Sequence, residues 1–152
     1  MTDPPRTFDE LYNYIIERDV IDMITKVHIP EISGLPMTAL VDSGNGAYNV
    51  IHGTNITRNK GIGGQPGINI SFKTVNGKIR TFKTRENIEI HIGSGEKEIR
   101  PVIKADITIE GKRHKDVKFS VADRSENEHP VLLGVDFIQE IGALIDVSDE
   151  TV

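Results

Sequence analysis

The chain has no cysteine, which excludes disulfide cross-links, thiolate nucleophiles and cysteine-held zinc. Basic residues are in the minority. Eighteen Lys and Arg against 23 Asp and Glu give a formal charge of -5, without the surplus that a nucleic-acid-binding face requires. No apolar run approaches the ~20 residues that span a bilayer, and Met1 to Thr7 show no basic region leading into an apolar stretch. A cytoplasmic protein without nucleic-acid or membrane partners is therefore expected. His28, His52, His91, His114 and His129 are scattered, with no His-Glu-x-x-His among them, and no Gly-x-x-x-x-Gly-Lys-Ser/Thr loop occurs. Neither a metal nor another cofactor is expected.

At 152 residues there is enough chain for one domain with a core, and too little for two full lobes. Hydrophobic residues at 37% and charged residues at 27% fit a globular protein rather than a disordered one. Residues 1–22 read as a helical extension. Thr7 and Glu10 have capping-box spacing, Leu11, Ile15 and Ile16 share a helical face, and the helix is expected to continue through Val20 and Ile21 toward Ile24.

Residues 23–152 read as a single β-domain. Ile24, Val27 and Ile29 predict a strand ending at Pro30, and Met37 to Val41 a second that runs into Asp42. Val50-Ile51 is a further apolar pair, and Gly61 to Gly67 is too glycine-rich for a regular element. Ile68, Ile70 and Phe72 alternate with polar residues, as do Ile88, Ile90 and Ile92. Between them Asn76-Gly77 predicts a type I′ hairpin, which needs positive φ at both central residues. Val102 to Ile109 and Val117 to Val121 predict a pair joined across Glu110-Gly111. Val131 to Leu133 precedes a short helix around Phe137 to Ile141, which Asp136 would cap, and Ala143 to Val147 would form the last strand. Many short strands and little helix predict a mainly β architecture.

Leu40-Val41-Asp42-Ser43-Gly44 carries a carboxylate, a small hydroxyl and a glycine out of an apolar strand into a loop. Turns favour the same residue types, so alone this segment marks only a turn. Its companion near the other end is Val131-Leu132-Leu133-Gly134, followed by the short helix and the final strand. In this order the two segments resemble retropepsin-like aspartic peptidases, over roughly Met23 to Ser148. The resemblance implies an acid-protease lobe, a closed β-barrel with a short C-terminal helix, to which this chain adds its N-terminal helix. It implies Asp42 as the catalytic carboxylate, Ser43 holding the loop through hydroxyl-to-backbone hydrogen bonds, and Gly44 admitting the partner loop. A narrower likeness is to the bacterial subgroup labelled ATP-dependent zinc proteases. His52 follows the aspartate motif, Arg100 sits in Glu98-Ile99-Arg100-Pro101-Val102, and Asp123-Arg124-Ser125 precedes Val131 to Gly134. By the same likeness Ala47, His52, Leu133 and Gly134 are active-site neighbours. One departure is Asn45-Gly46, standing before Ala47 where the family has alanine directly after the motif glycine.

Peptide hydrolysis without a covalent intermediate needs one group to take a proton from water and another to polarise the carbonyl. Two close carboxylates sharing one proton fill both roles. With a single Asp-Ser-Gly in the chain, the second carboxylate is expected from a two-fold homodimer. A glycine-rich lid over a peptide or protein substrate is expected at Gly61, Ile62, Gly63 and Gly64, with Asn76-Gly77 as the competing tip. Rival readings are a same-fold hydrolase for glutamate-rich tails, with Arg100 and Arg124 as carboxylate clamps, and a non-catalytic dimeric peptide-binding module. A monomeric β-domain with an accidental turn is a third.

Overall fold

The computed structural model describes residues 20–42, 49–91, 93 and 95–146. Ser43, Gly44, Ala47 and the helix expected from Thr7 lie outside them, apart from the last residues of that expected helix. There the expectation fails. Val20–Asp22 is a strand, β1, paired in parallel with the last strand β12 (Leu144–Asp146), in the register Val20 to Leu144 and Ile21 to Ile145. β-branched residues at Val20 and Ile21 suit a ladder better than a helix once a partner strand is present.

The remaining elements are β2 (Ile24–His28), β3 (Met37–Asp42), β4 (Asn49–His52), β5 (Thr54–Lys60), β6 (Pro66–Lys73), β7 (Ile79–Lys83), β8 (Asn87–His91), β9 (Lys97–Ile109), β10 (Lys112–Ala122), β11 (Val131–Gly134) and the helix α1 (Val135–Glu140). The domain is mainly β with one short helix near the C-terminal end of the described residues, as expected. Seven strands are ordered β10-β4-β11-β3-β2-β9-β8, and β9 also pairs with β10 across the Glu110-Gly111 turn. β5, β6 and β7 form a separate three-stranded sheet. None of the described helices is long and apolar enough to cross a membrane.

The period-two pattern explains the core. In β3 Met37, Ala39 and Val41 are buried while Thr38, Leu40 and Asp42 are only partly so. Val41, Ala39, Leu133, Val131, Phe119 and Ile107 are at 0% exposure and form the centre of one cluster, into which Ile70 and Phe72 of β6 also pack. The second sheet is thereby anchored to the first. Where the chain passes from β4 to β5, Gly53 lies so close to this cluster that a Cβ would stand 2.4 Å from Val121 Cγ1 and 2.7 Å from Phe72 Cδ2.

Three other local expectations are corrected. Asn76-Gly77 does turn the chain between β6 and β7, but only Gly77 has positive φ (+83°), so the turn is not type I′. The Thr74 hydroxyl, with Asn76 Oδ1 and Lys78 O as alternative acceptors for its one proton, and the bond from Gly77 N to Thr74 O together close the turn. The Gly61–Gly67 run is partly regular, because Gly67 belongs to β6 and packs on Asn59, whose Oδ1 would sit 2.0 Å from an added Cβ. Asp136 lies in the first turn of α1, and Gly134 takes the cap position with no side-chain hydrogen bond.

Gly53→Ala should destabilise the domain by about 1–3 kcal/mol, because Val121 and Phe72 are both buried and have little room to yield. Urea unfolding of the two proteins measures the difference.

Candidate active site

Asp42 ends β3. β11 runs parallel to β3 in the register Val131 to Ala39, Leu132 to Leu40, Leu133 to Val41 and Gly134 to Asp42. Parallel strands end on the same edge, so Asp42 and Gly134 finish side by side although 92 positions separate them. Leu133 is fully buried and anchors the pair from below. The backbone N–H of Gly134 donates to Asn49 Oδ1 at 2.9 Å, and Asn49 Nδ2 donates to Lys118 O at 3.0 Å. A single buried amide thus ties the end of β11 and the start of β4 to the interior of β10 beside Asp42. Asn49 was not singled out in the sequence. A polar residue ahead of an apolar pair gives no hint that its side chain bridges strands.

Directly paired residues share a face of the sheet. Leu40 pairs with Leu132 and Leu132 with Val50, so these three lie on one face, and Leu40 is two residues before Asp42 on that same face. With Ala122 they form a small apolar cluster separate from the main core. Asp42, itself partly exposed, therefore stands at the edge of an apolar patch.

Two guanidinium groups adjoin this face. Burial, and then the like charge of Arg100, push Arg124 below the usual guanidinium range, while the Asp42 carboxylate acts in the opposite direction. Arg100 lies within β9 opposite Ile88, where its Nη2 donates to Glu98 Oε2 at 3.0 Å and its buried Nε has no partner among the described residues. Arg124 follows β10. Its Nε donates to His129 O at 3.0 Å and its backbone N–H to His52 Nδ1 at 2.9 Å. His52 ends β4 and is the one histidine that touches this loop through its ring from another strand, while His129 Nδ1 bonds Thr38 Oγ1 at 2.8 Å. Asp123 Oδ1 accepts from the backbone N–H and the hydroxyl of Ser125; the hydroxyl bond first, and then the backbone one, lower its pKa.

Gly61 through Gly64 lie at the β5–β6 tip, where Ile62–Gly64 form a 3-10 turn, Gly61 N donates to Gln65 O at 2.8 Å and Ile62 is 96% exposed. Asn76-Gly77 is at the opposite end of β6. Among the described residues no group of three or more His, Asp or Glu could hold a metal ion. A groove of about 900 Å³ lies between the Arg113–Lys118 stretch and α1; it reaches Asn49 but is not lined by Asp42.

Comparison with known proteins gives two findings. The model of the RimB-like family, described as retropepsin-like aspartic endopeptidase RimB, matches residues 67–152. That span includes Arg100, Arg124, Leu133 and Gly134, and begins after Asp42. The chain is also similar to the crystal structure of Lpg0085 from Legionella pneumophila subsp. pneumophila str. Philadelphia 1, described as a protein of unknown function (DUF785). The identity is 23%, the TM-score 0.64, and 84% of this chain and 92% of that one are covered. At this identity the likeness concerns the fold. No protein of curated function matches.

Asn49→Ala should cost about 2–5 kcal/mol, since it leaves the Gly134 N–H and the Lys118 carbonyl without their partner in a buried setting. Asn49→Asp should not rescue it, because a carboxylate cannot donate to Lys118 O. Thermal and urea unfolding of both variants check this.

Proposed function

Because the chain belongs to the RimB-like family of retropepsin-like aspartic endopeptidases, we propose that it hydrolyses peptide bonds with Asp42 as its catalytic carboxylate. The observation that carries this reading is the register of Asp42 with Gly134 on parallel strands, braced by Asn49. It holds a partly exposed carboxylate at a strand end beside an apolar patch. The second carboxylate is Asp42 of an identical partner across a two-fold axis, with Ser43 and Gly44 supporting the loop. Each lobe is closed by the circuit of ladders from β10 through β4, β11, β3, β2 and β9 back to β10.

The two carboxylates hold one proton between them. The ionised one takes a proton from water while the water oxygen adds to the scissile carbonyl carbon. The protonated one gives its proton to the carbonyl oxygen. Collapse of the tetrahedral adduct breaks the C–N bond, and the amine leaves with a proton returned from the pair. The β5–β6 hairpin is the lid, with Ile62 at its exposed tip as the apolar contact to substrate.

A second reading narrows the substrate to glutamate-rich tails. It is favoured by the electrostatic influence of both Asp42 and Arg100 on Arg124, which sets a guanidinium near the carboxylate that would activate water. Guanidinium groups suit bidentate carboxylate recognition.

Asp42→Asn should reduce cleavage by roughly 10³-fold or more while leaving the unfolding midpoint and hydrodynamic size unchanged. Retained cleavage would remove Asp42 from catalysis, and a wild-type dimer that binds peptides without cleaving them would favour a binding module. For the second reading, Arg124→Gln should raise KM for a glutamate-rich peptide about tenfold and leave a glutamine-rich counterpart unaffected. Steady-state kinetics on the peptide pair decides it.

A further inference from the structure

His52 has no part in the chemistry just described, yet it holds both ends of the connection between β10 and β11. Its backbone N–H donates to Pro130 O at 2.8 Å, at the far end of that connection. Its ring Nδ1 stands 2.9 Å from the backbone N–H of Arg124, at the near end. We infer, on the footing of the peptidase reading above, that His52 is a positioning residue whose Nδ1 lone pair fixes the Arg124 backbone and so aims its guanidinium at the substrate side of Asp42.

The chemistry of the ring supports one arrangement. A backbone N–H can only donate, so Nδ1 accepts and carries no proton, and the ring proton is on Nε2. The Asp123 Oδ1 atom is 3.9 Å from Nδ1, beyond hydrogen-bond distance, and accepts instead from the backbone and hydroxyl of Ser125, so it draws no proton onto Nδ1. With the imidazole only 12% exposed, little water competes for the same N–H. The far side of Arg124 is fixed as well. Its Nε donates to His129 O, its own carbonyl accepts from Asn127 N at 2.9 Å, and His129 is held to Thr38 of β3. The backbone and the Nε are therefore both tied, and the terminal nitrogens are what remains to meet a carboxylate. His52 is the member of this arrangement that couples it to β4, the strand whose other end carries Asn49.

Asparagine offers an oxygen at the same number of bonds from Cβ as Nδ1, whereas leucine offers bulk without an acceptor and glutamine places its oxygen one bond further out. The test uses the full-length protein and two peptides that differ only in Glu against Gln at the residues flanking the cleaved bond. His52→Leu and His52→Gln should raise KM for the Glu peptide about tenfold, with kcat within about twofold and the Gln peptide unaffected. His52→Asn should restore KM to near the wild-type value. In ¹⁵N spectra of the wild type, His52 Nδ1 should be unprotonated at neutral pH, and the Arg124 amide should exchange slowly in the wild type and His52→Asn but fast in the other two. An unshifted KM in His52→Leu and His52→Gln, no rescue by His52→Asn, or a protonated Nδ1 in the wild type would each overturn the assignment. If the wild type cleaves neither peptide, the peptidase reading fails instead. The ring spectrum and the Arg124 exchange rates then still decide whether His52 positions that residue.

Discussion

The short parallel ladder between β3 and β11 is the constraint on which the candidate site depends. Parallel neighbours cannot be joined by a tight turn, so the chain must travel from Asp42 through most of the domain before it returns at Val131. All the intervening strands are in effect the crossover that makes this pairing possible. Once it is made, β3 and β11 end at the same edge of the sheet, and β11 passes straight into α1 at Val135. Ladder ends leave polar backbone groups without strand partners, and buried ones need replacements. The Gly134 N–H finds its replacement in the Asn49 side chain, which also takes up the carbonyl of Lys118. The amide thus satisfies backbone groups and fixes where β4 and β10 stand relative to Asp42.

Much of this was legible in the sequence because burial imposes a period. β2, β3, β6, β8, β9 and β10 all contain the alternating or apolar residues that predict them, and Leu133-Gly134 with Asp42 was legible as a pair through resemblance. β5 was not. Thr54 to Lys60 is polar apart from the exposed Ile56, so it carries no burial signal and exists because β6 provides its ladder. β1 was misread because Val20 and Ile21 extend a helical spacing as readily as they begin a strand; the arbitration comes from β12, more than a hundred residues away. Asp136 looked like a cap by residue type, but the backbone of Gly134 already occupies that position.

The polar contacts of the site were the least legible part. His52, Arg100 and Arg124 were singled out by motif, but neither the bond from Arg124 N to His52 Nδ1 nor the nearness of Arg100 to Arg124 follows from spacing. These residues come from the ends of β4 and β10 and from the middle of β9, and only the sheet order brings them together. The apolar patch of Leu40, Leu132, Val50 and Ala122 has the same origin. Each of its members reads as ordinary core, and the register is what turns three of them to the face that carries Asp42.

Charge balance connects these observations to substrate choice. The chain carries a formal charge of -5, and the proposed dimer brings two aspartates to one point. A glutamate side chain entering such a cleft meets repulsion of about 2–3 kcal/mol from one carboxylate at ~6 Å, with an effective dielectric constant near 20. An acidic peptide would therefore be a poor substrate unless cations lay within the same distance. Arg124 feels the Asp42 carboxylate, while burial first and then the like charge of Arg100 lower its pKa. Arg100 already has Glu98 Oε2 at 3.0 Å, so under the glutamate-tail proposal the guanidinium left to offset that repulsion is that of Arg124.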